Sequence, residues 1–327
     1  MNPSLPHHNP PLLSLVVPCY NEREVLSEFM RQVIPVLQAL PAMNYEVVFV
    51  NDGSRDDTLD RLVDIACAHD RVRVVDLSRN FGKEAAMTAG IDEALGDVVV
   101  PFDADLQDPP EVIPRLVAKW REGFDVVIAR RVDRSSDTLL KRKSASLFYK
   151  FHNIISDIDL PENAGDFRLM SRDVVDALKR MTESRRFMKG LFAWVGFNTA
   201  VVEYTRQARV AGKTKFSGWR LWNFALEGVT SFSTLPLRIW TYFGFFTAFV
   251  ALSYAVFVLI RTLIFGNPVP GYASIVTILL FLGGVQLVGI GVVGEYIGRI
   301  YIESKQRPVY LIQARYGVSE KVKRGGR

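Results

Sequence analysis

Charged residues are distributed very unevenly along this 327-residue chain, and that limits what it can fold into. The 64 residues of 235–298 contain three charged side chains, whereas the other 263 residues contain 72; the three are Arg238, Arg261 and Glu295. This segment contains two stretches without charged residues, 239–260 and 273–294. Each stretch is longer than the roughly 20 residues that a helix needs to span a bilayer. The sequence therefore predicts two transmembrane helices attached to a water-soluble majority.

The flanks of this segment predict its orientation and the boundaries of the other regions. Basic residues cluster before it, from Lys213 to Arg238, and after it, in 299–327, so both sides are expected in the cytoplasm. Residues 213–234 carry Trp219 and Trp222 among basic residues, which predicts an amphipathic interfacial helix, with a packed core helix as the alternative. Residues 1–11 are proline-rich and predict a disordered tail, and 299–327 predict a basic tail.

Residues 12–212 have the pattern of an α/β domain. Short β-branched runs alternate with helical stretches at 22–40, 57–68, 83–95 and 109–122, and a further helix is expected at 138–156. Runs that are apolar on both faces predict a Rossmann-like, mostly parallel sheet with helices on both faces. Polar clusters follow the first four strands, at the carboxyl edge where such sheets bind ligands.

Two of these clusters indicate particular chemistry. Asp103 and Asp105 stand one residue apart after an apolar strand, where both can reach the same divalent cation, and Gln107 is expected to add a third oxygen. Oxygen ligands favour Mg²⁺ or Mn²⁺, although aspartate pairs are also common in turns. Asp52 follows another strand and is expected to accept hydrogen bonds from a ribose or base, with Gly53 allowing close approach of the backbone. An Asx turn that caps the next helix is the alternative interpretation, and both can hold.

Five motifs together resemble a known family. They occur in one order, as PCYNE at 18–22, VNDGSRD at 50–56, RNFGKEAAMTAG at 79–90, DADLQDPPE at 103–111 and GDFRLMSRD at 165–173. The set is similar to the family 2 inverting glycosyltransferases with a GT-A fold, in particular the polyprenyl-phosphate branch that includes dolichol-phosphate mannose synthases. EGVTSFSTLPLRIW and VGEYIGRIYIESKQRP near the carboxyl terminus resemble the bactoprenol glucosyl transferases.

The resemblance implies a reaction and roles for individual residues. A single sugar, most simply glucose, would pass with inversion from a UDP-sugar to undecaprenyl phosphate at the cytoplasmic face of a bacterial inner membrane. The uridine would be held by Pro18, Tyr20, Asn21, Glu22 and Asp52, with Arg79 and Lys83 also at the donor. Mg²⁺ or Mn²⁺ would be held by Asp103, Asp105 and Gln107. The lipid phosphate would be held by Arg130, Arg142 and Ser146, with Asp166 orienting a sugar hydroxyl or the acceptor, or acting as a base.

Other features limit the partners and leave alternatives open. A net charge of +5 without a dense basic stripe argues against nucleic acid. Glycine-lined spans favour a homo-oligomer, and a flippase is a candidate partner. The GxGxxG match at 289–294 lies inside an apolar span and is interpreted as helix packing. Another sugar, a nucleotidyltransferase reaction and a non-catalytic membrane subunit that docks a flippase remain alternatives.

Overall fold

The computed structural model describes residues 10–132, 164–181, 183, 186, 188–205, 235–265 and 271–317. The strands are β1 (Leu12–Cys19), β2 (Asn44–Asn51), β3 (Val72–Leu77), β4 (Val98–Pro101), β5 (Val126–Arg131), β6 (Ala164–Ser171), β7 (Thr199–Tyr204) and β8 (Ile312–Tyr316). The helices are α1 (Leu26–Gln38), α2 (Thr58–Ala68), α3 (Lys83–Glu93), α4 (Ile113–Arg121), α5 (Arg172–Lys179), α6 (Met188–Trp194), α7 (Leu235–Phe265) and α8 (Tyr272–Ser304). A short 3₁₀ turn, Pro110–Val112, precedes α4.

The described strands form one eight-stranded sheet, in the order β7-β5-β6-β4-β1-β2-β3-β8. β1 pairs in parallel with β2 and β4, β2 with β3, and β5 with β7. Only β6 and β8 run antiparallel to their neighbours within this sheet. The predicted mostly parallel α/β sheet is confirmed.

Helices cover both faces of the sheet because its strands are apolar on both faces. One buried cluster joins the sheet to α1, α2 and α4, and includes Phe29, Leu62 and Leu116. A second cluster on the opposite face joins it to α3, α5 and α6. Since both faces are packed, the loops at the two edges are left to carry polar side chains.

The carboxyl-terminal region differs from the predicted basic tail. α8 continues beyond residue 298 to Ser304, and Ile312–Tyr316 is a strand of the sheet rather than part of a tail. Arg315 forms an ion pair with Glu93 of α3 at 2.6 Å, and the Tyr310 hydroxyl donates to Asp92 at 2.8 Å. These contacts, together with the backbone pairing to β3, fix the region after α8 to the eight-stranded sheet.

Two long apolar helices, α7 and α8, contain the predicted spans 239–260 and 273–294. Trp240 of α7 packs against Gly289 of α8, which supports the helix-packing interpretation of the GxGxxG match at its first glycine, whereas a Cβ at Gly291 or Gly294 would meet no atom within 4 Å. Among the described residues, one helical stretch, Phe281–Ser304, is long and apolar enough to cross a membrane. The predictions for 1–9, 138–156, 213–234 and 318–327 lie outside the described residues.

Candidate active site at the carboxyl edge of the sheet

Asp103 and Asp105 stand at the carboxyl end of β4, where the chain leaves the sheet. The Phe102 amide still donates to the Val16 carbonyl of β1, at 2.8 Å, so the aspartates begin where the sheet pairing stops. Ala104 and Leu106 alternate with them and are buried in the core, which leaves both aspartates partly exposed. Because buried and exposed residues alternate here, the side chains of Asp103 and Asp105 both face outward at the carboxyl edge of the sheet.

Lys83 joins Asp103 to Asp166, two predicted site residues from distant parts of the sequence. Its Nζ lies 2.7 Å from Asp103 Oδ1 and 2.9 Å from Asp166 Oδ2. Lys83 begins α3, Asp103 follows β4, and Asp166 lies near the start of the antiparallel β6, so all three reach the same edge. Desolvation acts to lower the pKa of Lys83, but the two carboxylates outweigh it and raise that pKa, so the ammonium stays charged.

Arg168, which the sequence analysis did not assign, lies two residues beyond Asp166 on the same strand. Its guanidinium is buried, stacks on the Phe192 ring at 4.0 Å from the centroid, and donates to the Gly165 carbonyl at 2.8 Å. Burial lowers the pKa of Arg168 to about 10, with Asp166 acting in the opposite direction. Arg168 therefore fixes the start of β6, which carries Asp166. The signal in the sequence is a lone arginine within the apolar run FRLM.

Asp52 holds a loop of the protein through its side chain. Its carboxylate accepts hydrogen bonds from the Phe81 amide at 2.7 Å and the Gly82 amide at 3.0 Å. Burial raises the pKa of Asp52, and these two hydrogen bonds oppose the rise. The alternative that Asp52 caps the next helix is wrong, because Asp57 occupies the N-cap of α2 and Asp52 contacts the loop before α3. The contact with uridine stays a prediction.

Gly53 lets that loop pass close to the end of β2. Its φ is +60°, and a Cβ there would lie 2.4 Å from the carbonyl carbon of Arg79. Position 53 therefore requires a glycine, both for its backbone conformation and for the close approach of Arg79. The Arg79 guanidinium is exposed and lies over the Phe81 ring, 4.1 Å from the centroid.

Pro18 lies within β1, one residue before its end, whereas Tyr20, Asn21 and Glu22 lie in the loop after β1, which is joined to the loop after β2. The Asn21 side-chain oxygen accepts from the Arg55 amide at 2.9 Å, and the Asn21 amide donates to Ser54 Oγ at 3.0 Å. Asn21 adopts φ +55°, which asparagine tolerates better than most residues. The loops after β1 and β2 thus form one cross-linked wall at the carboxyl edge, and this wall carries Tyr20, Asn21, Glu22 and Asp52.

Of the predicted phosphate-binding residues, Arg130 is the one that lies within the described part of the chain. Arg130 lies at the carboxyl end of β5, on the same edge as Asp103, but its guanidinium pairs with Glu203 of β7. Arg142 and Ser146 lie outside the described residues. The structure therefore brings Lys83, Asp103 and Asp166 together and leaves the acceptor side of the site as a prediction.

The oxygen side chains fit a hard divalent cation. Asp103 and Asp105 are partly exposed at the edge, whereas Gln107 is only 5% exposed, so the carboxylates are more accessible to a cation than the Gln107 amide. In the part of the chain that the structure describes, no three His, Cys, Asp or Glu side chains converge as metal ligands. A cation here would complete its shell with oxygens from outside the protein, as Mg²⁺ commonly does with substrate phosphates.

Comparison with known proteins agrees with this geometry. The family described as Glycosyl transferase family 2 matches residues 14–179, and the GtrB C-terminal hairpin matches residues 235–300. A relative named Bactoprenol glucosyl transferase, from Shigella phage SfV, is 56% identical over 92% of this chain and 98% of its own. The Uncharacterized glycosyltransferase sll0501 of Synechocystis is 50% identical over 94% of this chain and 96% of its own.

Two further matches have lower identity. The Uncharacterized glycosyltransferase YkcC of Bacillus subtilis is 42% identical over 94% of this chain and 95% of its own. A solved structure of the mannosyltransferase PcManGT from Pyrobaculum calidifontis, with GDP-Man and Mn²⁺, is 18% identical, with a TM-score of 0.46 over 67% of this chain and 62% of that one. On the family match and the close relatives, this chain belongs to glycosyl transferase family 2 and is a glycosyltransferase enzyme.

Proposed function

We propose that this enzyme transfers one glucose, with inversion, from UDP-glucose to undecaprenyl phosphate at the cytoplasmic face of a bacterial inner membrane. The name of the phage SfV relative, which aligns over almost its whole length, supports the sugar and the lipid. The observation that carries the proposal is that Lys83, Asp103 and Asp166 lie at the carboxyl edge of the sheet. The chain that follows α8 enters the sheet at this same edge.

The path from α8 to the sheet supports a site close to a membrane. Only seven residues, 305–311, separate Ser304 from Ile312. Ile312 pairs with Leu77, the last residue of β3, at the carboxyl edge of the sheet. Seven extended residues cover at most about 25 Å, so the end of α8 lies near the edge that carries the aspartates.

The two-span topology is part of the proposal. Large apolar side chains along α7 and α8 are exposed in the isolated chain, including Phe249 and Leu287 at 70% each. Exposure on this scale fits helices surrounded by lipid. In this arrangement 235–298 spans the membrane twice, 213–234 lies in the interface, and 12–212 and both termini are cytoplasmic. Homo-oligomer formation and delivery of the product to a flippase belong to the same proposal.

On the donor side, Asp103 and Asp105 would hold Mg²⁺ or Mn²⁺ with Gln107 close by. When bound, the cation would offset negative charge on the leaving UDP. The wall formed by the loops after β1 and β2 would hold the uridine through Tyr20, Asn21, Glu22 and Asp52, together with Pro18 of β1. Arg79, in the loop before α3, and Lys83, at the start of α3, supply positive charge next to this wall.

On the acceptor side, positive charge rather than a strong base is required. A lipid phosphate is already anionic near neutral pH, so it attacks without losing a proton to the protein. Arg130, Arg142 and Ser146 would hold that phosphate, since a guanidinium donates two parallel hydrogen bonds to phosphate oxygens. Release of Arg130 from Glu203 would accompany binding. Asp166 orients a sugar hydroxyl or the acceptor from the half-buried start of β6.

A transfer assay tests the proposal. Membranes containing the enzyme are given undecaprenyl phosphate and labelled UDP-glucose, UDP-galactose, UDP-N-acetylglucosamine or GDP-mannose, and label is followed into organic solvent. We expect label from UDP-glucose, loss of transfer with a chelator, and loss in Asp105→Asn without loss of protein from the membrane. Label from a different sugar would reject glucose, and no lipid-linked label from any donor would reject the reaction.

A further inference from the structure

The Lys83 ammonium lies between the carboxylates of Asp103 and Asp166 and donates a hydrogen bond to each of them. Its Nζ lies 2.7 Å from Asp103 Oδ1, 2.9 Å from Asp103 Oδ2 and 2.9 Å from Asp166 Oδ2. An ammonium has three N–H donors, and three carboxylate oxygens surround it here. Both oxygens of Asp103, the first aspartate of the predicted metal pair, therefore already face a cation that belongs to the protein.

This contact makes Lys83 a competitor for Asp103. The Asp103 side chain is 30% exposed, so a second cation has limited room to approach the same carboxylate. Two cations on one carboxylate also repel each other, and at the edge of a protein this repulsion is only partly screened by water. A divalent cation that binds Asp103 must displace the ammonium or bind weakly beside it.

A nucleotide diphosphate would remove this competition. Lys83 has a flexible four-carbon stem and its side chain is 47% exposed, so its ammonium can leave Asp103 without unfolding α3. Diphosphate oxygens would give the ammonium new acceptors and would also complete the ligand shell of the cation. Cation and nucleotide would then each favour binding of the other.

We propose, resting on the function proposed above, that Lys83 blocks Asp103 against divalent cations in the nucleotide-free enzyme and releases it when the diphosphate binds. The two ligands therefore bind cooperatively, and Lys83 sets the size of the effect. A purely structural role, in which Lys83 only ties α3 to β6, predicts no such change in cooperativity.

The test is a set of Mn²⁺ titrations of the full-length enzyme in detergent, followed by electron paramagnetic resonance, with and without saturating UDP. In Lys83→Met we expect Mn²⁺ alone to bind about two- to fivefold more tightly, the range for loss of one partly exposed ion pair. With UDP present, Mn²⁺ should bind no more tightly than in the wild type. The cooperativity between Mn²⁺ and UDP should therefore fall by at least the same factor.

Lys119→Met is the matched control, because Lys119 pairs with Glu122 on the surface of α4 and should leave both affinities unchanged. Lys83→Gln removes the charge but keeps hydrogen-bond donors, and it replaces Lys83→Met if melting shows that the Met variant is unfolded. Unchanged or weaker binding of Mn²⁺ alone would overturn the proposal, as would equal tightening with and without UDP. A wild-type enzyme that binds no Mn²⁺ even with UDP would instead reject the metal assignment itself.

Discussion

At the scale of single residues, Asp52 is a carboxylate that the fold uses to shape its own site. Both oxygens accept backbone N–H groups from the loop before α3, and the side chain is almost fully buried. In Asp52→Asn one of the two carboxylate oxygens is replaced by an NH₂ group, which then faces the backbone N–H of Phe81 or Gly82 and cannot accept its hydrogen bond. We expect the loss of about 1–3 kcal/mol of stability, the usual penalty for an unsatisfied buried group. Scanning fluorimetry should show a melting temperature lower by several degrees, together with weaker UDP binding.

Asp64→Asn serves as the control, since Asp64 is exposed on α2 and should melt like the wild type. If Asp52→Asn and Asp64→Asn melt alike, the hydrogen bonds of Asp52 do not stabilise the loop. If UDP binds normally despite a lowered melting temperature, the loop before α3 does not contribute to the donor site.

At the scale of secondary structure, β8 is the element that connects α8 to the catalytic sheet. Gly317 ends β8 with φ +77°, and a Cβ there would lie 2.4 Å from the Val72 carbonyl oxygen. Gly317→Ala should therefore weaken the docking of β8, through backbone strain and through this clash. We expect faster proteolysis within 305–317 and lower transfer activity. Gly123→Ala is the comparison, because Gly123 has φ +100° but a Cβ there would meet no atom within 4 Å.

The clash at Gly317 predicts that its variant is cleaved faster than the Gly123 variant. Equal cleavage of the two variants would mean that strain in φ alone, rather than contact with β3, determines the effect. Unchanged cleavage in both, relative to the wild type, would show that β8 does not depend on this turn for docking.

Elements with local signals were predictable from the sequence, and elements that depend on distant pairing were not. β1 to β5 are short apolar runs followed by polar clusters, so both the sheet and its carboxyl edge could be predicted. β6 was missed because Arg168 interrupts its apolar pattern, and the fold compensates by stacking that arginine on Phe192. β8 has five residues and pairs with a strand more than 200 residues away, which no local pattern reveals.

The candidate site divides in the same way. The aspartates after β4 were predictable because they follow one buried strand directly. The contact of Lys83 with Asp103 and Asp166 was not, since it joins the start of α3, the end of β4 and the start of β6. Only the antiparallel direction of β6 brings its first residues, and with them Asp166, to the carboxyl edge.

At the scale of the whole molecule, the central claim is that a soluble nucleotide sugar and a membrane lipid meet at the carboxyl edge of the sheet. This requires that edge to face the bilayer. The opposite edge carries Cys67, which is exposed near the end of α2, whereas Arg55 is exposed before its start. The 11 residues of α2 separate the two ends by about 16 Å. The chain thus provides one labelling position at each edge.

The most direct test is energy transfer from a fluorophore on cysteine to an acceptor dye in the bilayer of proteoliposomes. The wild type is labelled at Cys67, and Arg55→Cys is labelled in a Cys67→Ser background; Cys19 is buried and should not react. We predict that the label at position 55 lies closer to the bilayer than the label at position 67, by about the length of α2. Equal distances, or a label at position 67 that lies closer, would contradict the claim.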